Sequence, residues 1–236
     1  MRVLAADTST LTGSVALVEG DDVLAQVTLQ IRETHEARLM PIIDHLLRQV
    51  GWKIDVVEGL AVALGPGSFT GLRIGVATFK ALARALEVPL AGVPTLDAYA
   101  WAAPYCEHQI CPVLDARMGE VYAAFYRFAS DGSLERLSDY AALRPEALAE
   151  RVEAPTLFLG SGLTLYGRRL ADLLGRRAVF LPPECALPSA ARVAMLAAPR
   201  LADLKPDQAL ALEPLYVRRS IAETSRSELG RGGRPA

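Results

Sequence analysis

Residues that hold metals or build cross-links are scarce: three histidines and three cysteines in 236 residues. An odd set of three cysteines excludes a disulfide-built scaffold, and Cys106-x4-Cys111 lacks the short spacing of a zinc ribbon. The cysteines are expected to be buried or inert thiols. His35 and His45 stand ten apart, and the position four after His35 is Leu39, so neither belongs to a helical metal pair. Both read as solvated. An excess of one charge is also missing: 25 basic against 27 acidic side chains leave a formal charge of −2, which excludes a global electrostatic footprint for nucleic acid. No apolar run is long enough to cross a membrane and no signal-like segment is present, so a reducing cytoplasm is the expected compartment. Aromatics are 6% against 51% hydrophobic residues overall, the composition of an alanine- and leucine-rich α/β protein.

What is present is a glycine-rich turn, Gly65-Pro66-Gly67-Ser68-Phe69-Thr70-Gly71-Leu72-Arg73-Ile74-Gly75, between an apolar strand (59–64) and a helical run ending near Leu86. Strand, glycine turn and helix N-terminus together present backbone N–H groups and a positive dipole end to an anion. The phosphate-loop pattern nevertheless fails, because no lysine follows Gly71, and the dinucleotide spacing is missed by one residue. The other reading is a tight turn in which glycines permit unusual backbone geometry and Ser68 or Thr70 caps the helix. On a helical wheel Arg73, Lys80 and Arg84 share one line, and about 260° of the circumference is apolar or small. One sheet needs a stripe of only about 100°, so a second cover is expected, either a helix of the same domain or a partner chain.

In chain order the first half reads βββ-α-β-α-β-α: strands at 2–7, 15–19 and 23–31, a helix over 35–50 carrying Pro41, then the glycine unit, a strand at 88–93 and a helix through Trp101. Asp7 ends the first strand beside a Thr/Ser-rich turn, where it either holds magnesium through water or caps the turn. After an irregular stretch at 102–109 strands begin again at 110–116, 120–128 and 134–143. Helix 145–151, strand 156–159, the Gly160-Ser161-Gly162 turn and helices 163–174 and 191–201 follow. The expected division is a first lobe over 1–103, a second over 110–218 and a disordered tail over 219–236.

Asp7-Thr8-Ser9 with Gly13-Ser14-Val15-Ala16-Leu17, His35-Glu36-x-x-Leu39-x-Pro41, the glycine stretch 65–75, Asp115-Ala116-Arg117-x-x-Glu120-Val121-Tyr122 and Tyr216-Val217-Arg218 together resemble the bacterial TsaB family of tRNA threonylcarbamoyladenosine biosynthesis proteins. The resemblance spans residues 1–219 and is strongest before 125. It implies an α/β fold of two tandem actin-like (ribonuclease H-like) lobes, each a mixed sheet with an antiparallel three-strand start and flanking helices. It also implies a non-catalytic partner of TsaD that acts with TsaD and TsaE to transfer a threonylcarbamoyl group to adenosine 37 of tRNAs reading ANN codons. No cofactor is then expected for this chain alone, although the complex uses ATP and a nucleotide near the partner joint is conceivable. No HxxxH metal pair exists here. Asp7, Thr8, Ser9, Gly65, Gly67, Ser68, Asp115 and Arg117 stand as degenerate ligand loops. Gly71, Ile74, Gly75, Thr78, Ala81, Leu82 and Ala85 stand as the interface with TsaD, or with a second copy when TsaD is absent. Within the same superfamily the competing readings are a metal-dependent peptidase and an actin-like ATPase or sugar kinase.

Overall fold

Strand β1 (Arg2–Asp7) is apolar without alternation because both of its faces are covered. In the computed structural model, which describes residues 1–30 and 35–217, it is the middle strand of a sheet ordered β3-β2-β1-β4-β5. It pairs antiparallel with β2 (Thr12–Glu19) and parallel with β4 (Gly59–Gly65). β3 (Asp22–Gln30) and β5 (Leu90–Pro94) form the edges. The period-2 alternation sorts the side chains. Leu4, Ala6, Val15, Leu17, Leu60 and Val62 meet helices α1 (His35–Val50) and α2 (Phe69–Leu86). Val3, Ala5, Ala16, Ala61 and Ala63 face the other way, onto α6 (Ala190–Leu201). That second face is mostly alanine on both sides, so helix and sheet approach closely. Pro41 is accommodated within a continuous α1 on its exposed side.

After α3 (Thr95–Ala100) the second sheet is built on β6 (Gln109–Arg117), which pairs with β7 (Glu120–Ala123) antiparallel and with β11 (Thr156–Leu159) parallel. Two strands expected to be continuous are each broken. The segment 120–128 splits into β7 and β8 (Tyr126–Phe128), and 134–143 into β9 (Leu134–Arg136) and β10 (Ala141–Leu143). The break falls at Ala124-Phe125, both buried, where the alternation fails. There the Phe125 N–H turns to the Ser138 hydroxyl, 3.0 Å away. Helices α4 (Pro145–Ala149) and α5 (Leu163–Leu174) cover the outer face, and β12 (Ala178–Phe180) closes the edge beyond β11.

The fold is therefore the expected pair of α/β lobes, with one exchange that corrects the expected division. Residues 189–217 pack on the first lobe rather than the second. α6 crosses back to the first sheet, and a 3-10 turn (Pro206–Ala211) lays Ala209 and Leu212 on the α1/α2 core. The chain then runs across the glycine turn, where the Leu215 N–H donates to the Leu64 carbonyl at 2.7 Å. Conversely, α3 puts Leu96, Tyr99 and Ala100 on the second sheet beside Ile110, Leu114 and Tyr126. The tail 219–236, Arg218 and residues 31–34 lie outside the described residues, and no described helix is long and apolar enough to cross a membrane.

Candidate functional site

The glycine turn is packed against the end of β1. Ser68 is the N-cap of α2, its hydroxyl accepting from the Gly71 N–H at 3.3 Å. The Ser68 N–H donates to the Ser9 carbonyl at 2.6 Å, and the Thr8 hydroxyl donates to the Gly71 carbonyl at 2.7 Å. A Cβ at Gly67 would lie 2.2 Å from the Ser9 carbonyl oxygen, one at Gly71 2.1 Å from that of Thr8, and one at Gly75 2.3 Å from the Thr8 hydroxyl. Gly67 and Gly71 let the helix start and the chain after β1 touch backbone to backbone, and Gly75, a turn later, makes room for the Thr8 side chain. Gly65, at φ 112°, needs its freedom for a different reason, since the chain reverses there above Leu215.

Asp7 is fully buried. One carboxylate oxygen accepts from the Ser9 N–H (2.9 Å) and the Ser9 hydroxyl (2.6 Å); the other has no protein partner. Burial pushes its pKa up, opposed by the two Ser9 bonds and the charge of His35. His35 is not solvated as expected. It is half-buried, its Nε2 lies 2.7 Å from the Thr10 carbonyl, and its ring rests where Gly13 leaves no side chain. His45 is exposed.

In the second lobe Asp115 is spent on its own hairpin. It accepts from the Arg117 N–H at 2.9 Å and faces the Arg117 guanidinium at 3.3 Å. Met118 and Gly119, at φ 53° and 79°, form the two-residue turn from β6 to β7. Gly160 and Gly162 are pressed on β6, the Gly162 N–H donating to the Val113 carbonyl at 2.9 Å. Between the two lobes' loops stands Tyr99, 1% exposed. Its buried hydroxyl makes no hydrogen bond to the protein, although Thr10 of the first lobe and Ser161 of the second lie near it with Asp7 and Arg192. Burial, then the Asp7 charge, push its pKa above the usual phenol range.

An actin-like fold implies a nucleotide with magnesium between the lobes, and these residues do not fit that group. The Ser68 N–H is bonded to Ser9, the Thr8 and Ser9 hydroxyls are both donated internally, and Gly67 and Gly71 are filled by backbone rather than open to a phosphate. The orphan oxygen of Asp7 alone would suit a cation. Among the described residues no group of three or more His, Cys, Asp or Glu is placed to hold a metal ion.

The seven residues expected at an interface divide. Gly71 and Gly75 are corrected: they are buried against Thr8 of the same chain. Ile74 and Leu82 pack partly on the α1/α2 core, and Thr78 is half-buried. Ala81 and Ala85 are exposed, as are Arg73, Ala77 and Arg84. The second cover that the wheel demands comes partly from α1 and partly from the 3-10 turn at 206–211. Beside the open strip of α2, α1 exposes Ala37, Met40 and Pro41. Sequence reasoning missed Tyr99, the Asp97 carboxylate that accepts from the Tyr126 and Tyr140 hydroxyls, and the aromatic group around Tyr216. All three depend on elements distant in the chain.

The family described as tRNA N6-adenosine threonylcarbamoyltransferase (TsaD) matches residues 22–225. The chain is 34% identical to the tRNA threonylcarbamoyladenosine biosynthesis protein TsaB of Escherichia coli, over 94% of this chain and 96% of that one. To the TsaB of Bacillus subtilis it is 35% identical, over 75% and 78%. A solved Pseudomonas aeruginosa structure, described as an uncharacterized protein with similarity to peptidase YeaZ, superposes with a TM-score of 0.76 at 31% identity, covering 92% of this chain and 99% of that one. The chain belongs to the TsaB family of tRNA threonylcarbamoyladenosine biosynthesis proteins, and its two lobes are actin-like.

Proposed function

We propose that this chain is the non-catalytic partner of a TsaD subunit, in a cytoplasmic complex that with TsaE transfers a threonylcarbamoyl group to adenosine 37 of tRNAs reading ANN codons. The observation that carries this reading is the glycine turn. A Cβ at Gly67 or Gly71 would meet backbone at 2.1–2.2 Å, so this turn serves the chain's own packing and leaves no cradle for a phosphate. A protein that keeps the two-lobed shape but fills its ligand loops is suited to holding a related subunit. ATP is then used elsewhere in the complex, and a nucleotide near the joint would draw its contacts chiefly from TsaD. The peptidase reading needs a ligand set that the described residues do not assemble.

The surface proposed for TsaD is the open strip of α2 around Ala77, Ala81 and Ala85 with Ala37, Met40 and Pro41 of α1. Small exposed side chains let a partner helix approach closely, and a second copy would occupy the strip when TsaD is absent. Ala81→Glu places a charge on it without touching the core. The expected result is at least a tenfold loss of TsaD affinity by calorimetry with an unchanged melting temperature, a buried unpaired charge being among the costliest changes at an interface. Undiminished affinity would remove the strip from the interface. Gly75→Arg is not a usable probe, since Gly75 lies on Thr8 and the variant would disturb the fold.

A further inference from the structure

The last described residues make a surface group that internal packing does not require. Tyr216 stacks on Phe69 with ring centroids 5.1 Å apart, and the Arg73 guanidinium lies 3.9 Å over the Phe69 ring while donating from Nε to the Tyr216 hydroxyl at 3.2 Å. A side chain that only anchors a strap is buried by it. Here Phe69 is 37% and Tyr216 43% exposed, and Arg73 is also exposed. The bond from Leu215 to Leu64 holds Tyr216 in place, so the rings are preset rather than loose. They stand at the N-terminus of an 18-residue helix whose dipole favours a phosphate. That helix carries Arg73, Lys80 and Arg84 and no acidic residue, and the sequence beyond Val217 holds five arginines against two glutamates.

Part-exposed rings beside a guanidinium, at a positive helix end, are the chemistry that takes up unpaired nucleotides: a base stacks on the exposed side of the Tyr216–Phe69 pair and the backbone phosphate meets the cation. We infer that Phe69, Arg73 and Tyr216 form a stacking platform for an unpaired nucleotide of RNA. That the RNA is the complex's tRNA rests on the proposed function; the platform itself does not. Arg73 stands near the N-terminal end of α2, about two turns before Ala81 along the helix, so the separation between RNA and a partner subunit is axial.

The test is fluorescence anisotropy of the full chain, without other subunits, against a labelled RNA stem-loop and against the same stem as a closed duplex. The stem-loop is expected to bind more tightly than the duplex. Tyr216→Ala and Phe69→Ala should each weaken it at least about fivefold, the lower end of the range for one stacked base, while Tyr216→Phe keeps most of the affinity. Removing residues after Val217 should lower the salt dependence and leave the preference for unpaired RNA. No binding, undiminished affinity in either alanine variant with unchanged circular dichroism, or loss on tail removal alone would overturn the platform. None of these results touches the reading of a TsaD partner, since the assay contains no TsaD and no variant in it lies on the strip of Ala77, Ala81 and Ala85.

Discussion

Gly71→Ala is expected to destabilise the protein by about 2–3 kcal/mol, although the same change in an ordinary helix stabilises by about 1. The new Cβ would lie 2.1 Å from the Thr8 carbonyl oxygen and 3.3 Å from its carbon, and neither atom belongs to a side chain that can swing away. Relief requires the start of α2 to withdraw from the end of β1. That would stretch the Thr8–Gly71 bond (2.7 Å) and the Ser68–Ser9 bond (2.6 Å) together. For a chain of this size the melting temperature should fall by roughly 5–10 °C. Gly167 in α5 is the control. A Cβ there would sit 3.6 Å from the Leu163 Cβ, an ordinary contact, so Gly167→Ala should raise the melting temperature by about 2–4 °C. Opposite signs for one chemical change isolate packing from helix propensity. A neutral Gly71→Ala would mean that the turn is open, and the case against a phosphate in it would fail.

Asp97→Ala is the second large effect, because this carboxylate joins the lobes. Asp97 lies on α3, in the connection between the two sheets, and one of its oxygens accepts from both the Tyr126 and Tyr140 hydroxyls at 2.7 Å. Tyr126 is 1% exposed, and Arg136 lies over the Tyr140 ring at 4.1 Å. Without Asp97 the Tyr126 hydroxyl is left buried and unpaired, a cost of about 1–3 kcal/mol, to which Tyr140 adds less because it can turn to water. A total of about 2–4 kcal/mol is expected by urea denaturation, with faster hydrogen exchange in α3 and β8. The pH profile follows from the same contacts. Burial first, and Asp97 second, raise the pKa of Tyr126 above the ordinary value of 10.0, and Tyr99 and Tyr140 are raised as well. The unfolded chain therefore releases these protons first, so stability is complete below about pH 10 and is lost as pH rises beyond it. Asp97→Ala should flatten that alkaline slope. An unchanged slope would show that the tyrosines do not titrate against Asp97.

The extent to which the sequence disclosed all this follows from the range of the interactions. Strand 156–159, helix 163–174, the glycine unit and Ser68 as cap were legible because each is decided within a few residues by apolar period and turn chemistry. The break at Ala124-Phe125 was not, since β7 and β8 both stay on β6 and only their outer partner changes, from β10 to β9, so much of the alternation survives on either side. The 191–201 segment reads as a helix, but its alanines suit either sheet, and only the complementary Ala5, Ala61 and Ala63 assign it to the first lobe. The wheel of α2 correctly demanded a second cover and could not identify it. Part of that cover, Ala209 and Leu212, comes from more than a hundred residues away. Gly71 and Gly75 looked like interface residues for the same reason: a small residue marks a close approach without saying to what. His35 read as solvated because nothing local reveals that the Thr10 carbonyl comes within reach of its ring.

On the proposed function, this chain is required for the modification without carrying its chemistry. The most direct test is an omission assay, in which unmodified tRNA, threonine, bicarbonate and ATP are incubated with the threonylcarbamoyl-adenylate synthase, TsaD and TsaE, with and without this chain. Threonylcarbamoyladenosine is expected only when the chain is present, and none from the chain and the synthase without TsaD. Equal product without the chain, or product from the chain without TsaD, would contradict the proposed function.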